Sequence, residues 1–177
     1  MMIETILNFM DSDSNVKACV DLFQKQGCHS IYGIGGSVKP AVLAKVWHTW
    51  KKPLIVVTPS REQQSLWRSD LQLFAPEAEV MDSPFVDKAV FTTTAKSMER
   101  AARLTESLGA LRQGKPCIIL ATAVEAAQYV VEPDILDRSA LDIAVHREYD
   151  RESLLLGLAN GGYERVDMVE RRGHFSV

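Results

Sequence analysis

The chain has 177 residues, 46% of them hydrophobic and 24% charged. That balance excludes a disordered polypeptide and supplies a core without covalent staples. Twenty basic residues stand against 23 acidic ones, for a net charge of −3, so no global positive field marks a nucleic-acid grip. No apolar run approaches the roughly 20 residues of a membrane span, and no signal-peptide pattern opens the chain. Cys19, Cys28 and Cys117 form no CxxC pair and read as reduced thiols in a cytosolic setting.

In chain order, Asp11 to Ser14 offers N-cap oxygens to a helix carrying Val16, Cys19, Val20, Leu22 and Phe23, with Gly27 as the expected stop. Asp11, Asp13 and Asn15 match the start of a calcium loop, but Val16 and Leu22 occupy its glycine and glutamate places, so capping is the reading. Residues 29–34 read as a short strand turning at Gly35-Gly36. A helix over 40–50 follows, with Pro40 in its first turn. Pro53 to Thr58 is a β-branched run suited to a strand buried on both faces. Ser60 caps a helix to Phe74, with Gln63 placed for a capping box.

Ala78 to Met81 is a weaker strand. Thr92 to Thr94 enters a long helix to Leu111, expected to turn Met98, Ala101, Ala102, Leu104, Leu108 and Leu111 inward and Arg100, Arg103 and Arg112 outward. Residues 116–121 form a second buried strand, and Thr122 caps a helix to Tyr129. Residues 140–145 complete about five strands, and Asp150 caps a helix to Leu158, stopped at Gly161-Gly162. Strands alternating with helices predict βαβ units and a mostly parallel sheet. Runs 163–170 and 174–177 around Arg171-Arg172-Gly173 predict an antiparallel hairpin. Because the pattern stops inside a strand, the expectation is a piece of a longer protein.

The segment Gly33 to Pro40 follows a predicted strand and opens a helix, as a phosphate-binding loop does. Lys39 falls where the phosphate lysine should, after Gly33, Gly36 and Ser37 of a degenerate loop. Val38 stands where the second glycine is needed, and Pro40 where a hydroxyl should hold Mg²⁺. A relic turn without hydrolysis is therefore the reading, with weak anion binding as the alternative. His29, His48, His146 and His174 show no ligand spacing, and no GxSxG, HExxH or paired-carboxylate motif appears. Trp47 and Trp50 read as packing residues rather than a base-stacking platform.

The loop GIGGSVKP, the strand PLIVVTPS followed by REQQSLWRSDLQLF, and the strand–helix ILATAVEAAQ resemble a degenerate RecA-like helicase module. The closing run GYERVDMVERRGHFSV is more specific. It resembles the transcription-repair coupling factors and, more loosely, the excision-repair protein UvrB, over about residues 28–177. The resemblance implies an α/β fold: a degenerate RecA-like domain with a mostly parallel sheet flanked by helices, plus the start of a second small domain. The expected division is an N-terminal helix in 1–27, the RecA-like domain in 28–150, and in 151–177 a connecting helix with the first strands of a UvrA-binding domain.

The implied parent is a cytoplasmic bacterial ATP-dependent DNA translocase that displaces stalled RNA polymerase at lesions and recruits UvrA. Its ATP, Mg²⁺, polymerase and DNA sites would lie downstream. UvrB keeps a working loop, so Val38 and Pro40 favour the coupling factors. This chain is expected to be a catalytically inactive interaction module, without cofactor, metal or membrane contact. Arg165, Arg171 and Arg172 are the partner-contact candidates. The competing readings are an active P-loop ATPase or helicase domain of a UvrB-like repair protein and, from fold alone, a small-molecule α/β enzyme.

Overall fold

The computed structural model describes residues 2–84, 95–141 and 143–177, the side chains of residues 2–4, 95–98 and 139 excepted. Two helices open the chain, α1 (Met2–Ser12) and α2 (Ser14–Phe23). Asp13 joins them as the N-cap of α2, its carboxylate accepting from Asn15 N at 2.7 Å and Val16 N at 3.3 Å. The capping expectation is met there, but two helices stand where one was predicted. The second ends at Phe23 rather than Gly27, because residues 24–30 are polar or small and exposed, with no face to bury.

Among the described residues three parallel strands build the sheet: β1 (Leu54–Thr58), β2 (Glu79–Asp82) and β3 (Cys117–Thr122). Their order is β1-β3-β2, with Leu54 opposite Ile118 and Glu79 opposite Cys117. Alternation sorts β3 onto two faces. Ile118 and Leu120 join Leu54, Val56 and Val80 under α3 (Val38–Trp50) and α4 (Arg61–Phe74), which contribute Ala41, Val42, Ala44, Trp47, Leu71 and Phe74. Cys117 and Ile119 face α5 (Ala95–Arg112), meeting Ala110, Leu111 and Met81. The α/β class with a parallel, helix-flanked sheet is thus as expected.

Several expectations fail for identifiable reasons. Residues 29–34 form no strand. Their only buried tendency is Ile34 against the core, while Ile31 and Tyr32 are exposed and Gly33 and Gly36 sit at positive φ. Residues 140–141 and 143–145 likewise form no strand, and Ala144 N donates to Tyr149 Oη instead. β1 is not buried on both faces: it is an edge strand, and α5 leaves its Ile55 and Val57 more than half exposed. Among the described side chains of α5 the buried positions are Ser107 and Ala110; Ala102, Leu104, Leu108 and Leu111 are half-buried and Ala101 is exposed. The expectations for Thr92 to Thr94 and for the Met98 side chain fall outside the described residues.

The helix after β3 is a single turn, α6 (Ala123–Ala126), rather than a run to Tyr129. An unpredicted helix, α7 (Pro133–Ser139), begins with proline at its first position, where a missing N–H costs nothing. α8 (Arg151–Asn160) starts at Asp150, which accepts from Ser153 N at 2.8 Å. Hydrogen bonds from the Ser153 side chain, and then from its backbone N–H, hold the Asp150 carboxyl below its ordinary range. The closing strands β4 (Glu164–Arg165) and β5 (His174–Phe175) pair in parallel, not as an antiparallel hairpin. The intervening loop carries the chain back to the start of the pair, so Glu164 N donates to Gly173 O and Val166 N to Phe175 O.

Among the described residues no helix is long and apolar enough to cross a membrane.

Candidate functional site

The glycine loop leads directly into α3. Ser37 is its N-cap residue but makes no side-chain cap. Val38 N and Lys39 N point back to Gly35 O and Gly36 O, each at 3.3 Å. In a phosphate cradle such N–H groups face outward to an anion; here they close turns. Pro40 is buried in the α3 core while Val38 and Lys39 are exposed. With no strand before it, the loop lacks the strand–loop–helix frame that aims a phosphate site.

Charge gathers elsewhere, at the carboxyl ends of the strands. α4 presents Arg61, Gln64 and Arg68 on one face, and α5 presents Glu99, Arg103, Glu106 and Ser107. Asp82, the last residue of β2, lies between them. It receives Arg68 and Gln64, the latter at 3.2 Å, while Ser107 Oγ donates to its carbonyl at 3.0 Å. Two adjoining cavities of about 620 and 600 Å³ share Arg68, Asp82, Glu99 and Arg103. Glu125 borders the second and is 4% exposed. It closes the α6 capping box, accepting Thr122 N at 2.6 Å, and pairs with Arg61 at 3.1 Å.

The guanidinium groups here are mostly spoken for. Arg103 pairs with Glu99 at 2.7 Å and Arg172 with Glu106 at 3.3 Å. Arg112 grips Asp137 through two nitrogens, and those hydrogen bonds hold the Asp137 carboxyl below its ordinary range and raise Arg112. Glu79 raises Lys115 in the same way, and burial pushes the Cys117 thiol up. Among the described residues Arg100 has no ion-pair partner, and no cluster of three metal-ligating side chains is gathered.

Of the sequence-derived candidates, the structure brings Arg171 and Arg172 together at the wall of the 620 Å³ cavity. Arg165 sits apart on β4, exposed and, among the described residues, without an ion-pair partner. Arg171 is tied to Glu164 at 3.6 Å and to the His174 ring at 2.7 Å. Gly33, Gly36, Ser37, Val38, Lys39 and Pro40 belong to neither cavity wall. The reading of the sequence missed the strand-end groove. Its signal was present as polar spacing of three and seven on α4 and four and seven on α5.

No protein-family model matches the chain. Curated proteins do. A transcription-repair-coupling factor of Staphylococcus epidermidis is 21% identical over 172 residues, covering 97% of this chain. One from Myxococcus xanthus is 31% identical over 152 residues, covering 82% of it. The UvrABC system protein B of Metamycoplasma arthritidis is 27% identical over 184 residues, covering 94%. The chain is a homologue of these coupling factors and of UvrB. It spans 15% and 13% of the length of the two coupling factors and 27% of that of the UvrB protein.

Proposed function

We propose that this chain is the N-terminal UvrB-like module of a transcription-repair coupling factor, a DNA repair protein, and that it acts by protein contact. The observation that carries the reading is the alignment with a coupling factor over 97% of the chain. On this reading the sheet with its helices is a degenerate RecA-like domain in 28–150. Residues 151–177 then begin the domain that recruits UvrA. ATP hydrolysis, RNA polymerase contact and DNA translocation belong to downstream parts of the whole protein. The alternative, an active ATPase domain of the UvrB kind, is disfavoured by Val38 and by the buried, hydroxyl-free Pro40.

Two measurements test it. Calorimetry of this chain with Mg–ATP is expected to give no low-micromolar binding, because the loop N–H groups are turned to loop carbonyls and no hydroxyl stands at position 40. Low-micromolar binding would revive the ATPase reading.

In the full-length protein, Arg165→Glu is expected to weaken UvrA binding about tenfold, near 1.4 kcal/mol, with stability within about 0.5 kcal/mol of the unsubstituted protein. Among the described residues Arg165 is the one of the three without an ion-pair partner, and its fork suits a partner's carboxylate. Unchanged UvrA affinity would make Arg165 a solvated residue rather than a partner contact. Sub-micromolar binding of duplex DNA by the chain itself at physiological salt would contradict protein contact altogether.

A further inference from the structure

Arg171 Nε donates to His174 Nε2 at 2.7 Å. A guanidinium has only donors, so the imidazole nitrogen facing it must accept. The ring is therefore neutral, with its proton on Nδ1. That Nδ1–H is buried without a partner among the described residues, and the side chain is only 9% exposed. The ring thus gains no hydrogen bond on its far side, and the Arg171 contact decides its state.

The carboxylate in reach is Glu164, 3.7 Å from His174 Nε2 and 3.6 Å from an Arg171 terminal nitrogen. Other charged groups around this corner are engaged or turned elsewhere. On α5, Glu106 holds Arg172 and Glu99 holds Arg103; Arg68 of α4 holds Asp82 of β2, and Glu79 of β2 holds Lys115. Arg165 lies beside Glu164 on β4, and Asp167 and Glu170 are exposed in the loop, none of them in an ion pair with the ring among the described residues.

We infer that His174 is a proton-sensitive latch on the Arg171-Arg172 turn. Neutral, it accepts the Arg171 Nε–H and keeps that guanidinium against β4 and β5. When a proton binds Nε2, acceptor becomes donor, and two cationic donors face each other at hydrogen-bond distance. Glu164 then faces the imidazolium as well as Arg171, and the Arg171 Nε–H loses its ring acceptor and turns away from it. Histidine is the side chain whose ordinary titration spans physiological pH, so acidification is the trigger to test. A freed arginine presents a planar fork suited to carboxylates. The inference stands on this corner's geometry alone and is independent of the proposed function.

The test is nitrogen-15 NMR of the whole 177-residue chain. At about pH 8 the ring is expected as the Nδ1–H tautomer, with a protected Arg171 Nε–H resonance. At about pH 5 that resonance is expected to vanish while amides of β1 and β3 stay protected, which separates release from unfolding. His174→Gln puts an amide oxygen where Nε2 stood and should keep the resonance at both pH values. His174→Lys, a permanent donor, should abolish it at both. An Nε2–H tautomer at pH 8, or an Arg171 resonance that persists at pH 5 in the unsubstituted protein, would overturn the latch. Both readings come from the unsubstituted chain and decide the matter even if a variant fails to fold.

Discussion

Replacing Leu120 with alanine is expected to cost about 2–5 kcal/mol, read as a lower urea midpoint with little change in slope. Leu120 is fully buried in the central strand, packed with the α3 and α4 cluster through Leu71, Ala41 and Trp47. Its backbone carbonyl accepts Ser83 N at 2.9 Å and Gln64 Nε2 at 3.1 Å. Those bonds survive truncation, so the loss is one of contact and cavity. The informative partner is Ile55→Ala, one strand away in the same sheet. Ile55 is 56% exposed on the open face of β1, so its truncation should cost about 1 kcal/mol or less. Equal costs at the two positions would mean that the open face is covered in solution.

That contrast marks what the sequence could show. PCIILA and PLIVVT are alike as apolar β-branched runs, and both form strands. Nothing in the run itself says that one lies between two neighbours and the other at an edge. That is a property of the pairing, set by Leu54 meeting Ile118 while the far side of β1 stays open. Residues 29–34 show the same limit from the other direction. Their composition suits a strand, but a strand needs a neighbour, and the β1 edge and this segment do not meet as a ladder. The caps were more legible because they are local. Asp13, Ser60, Thr122 and Asp150 each accept from a backbone N–H two or three residues on, as the helix geometry requires.

The candidate site was legible in part. The defects of the glycine loop could be read residue by residue, since Val38 and Pro40 deny specific chemistry whatever the fold. The arginines at 165, 171 and 172 looked equivalent along the chain, yet the fold separates them. Arg171 and Arg172 are bound to Glu164, His174 and Glu106, and Arg165 is left exposed. The Glu106 contact spans 66 positions and has no local signature. The same holds for Arg61 and Glu125, which lie 64 positions apart.

Glu125 carries the second large expected effect. Its removal in Glu125→Ala should destabilise the protein by about 1–3 kcal/mol. One carboxylate oxygen accepts Thr122 N at 2.6 Å, completing the turn that leads from β3 into α6, and the other takes Arg61 at 3.1 Å. Without it the Thr122 N–H loses its acceptor in a part-buried place, and an unmade backbone bond there costs more than the net value of a made one. The loss stays below the 3–5 kcal/mol typical of breaking a buried ion pair, because Arg61 is 63% exposed and returns to water when its partner goes. Glu125→Gln separates the two contributions. The amide oxygen can still accept Thr122 N, so most of the stability should remain, while the charged contact to Arg61 is gone. Chemical denaturation of the two variants side by side checks the ordering. If glutamine proves as costly as alanine, the charge on Glu125, rather than its capping oxygen, holds the end of β3 against the start of α4.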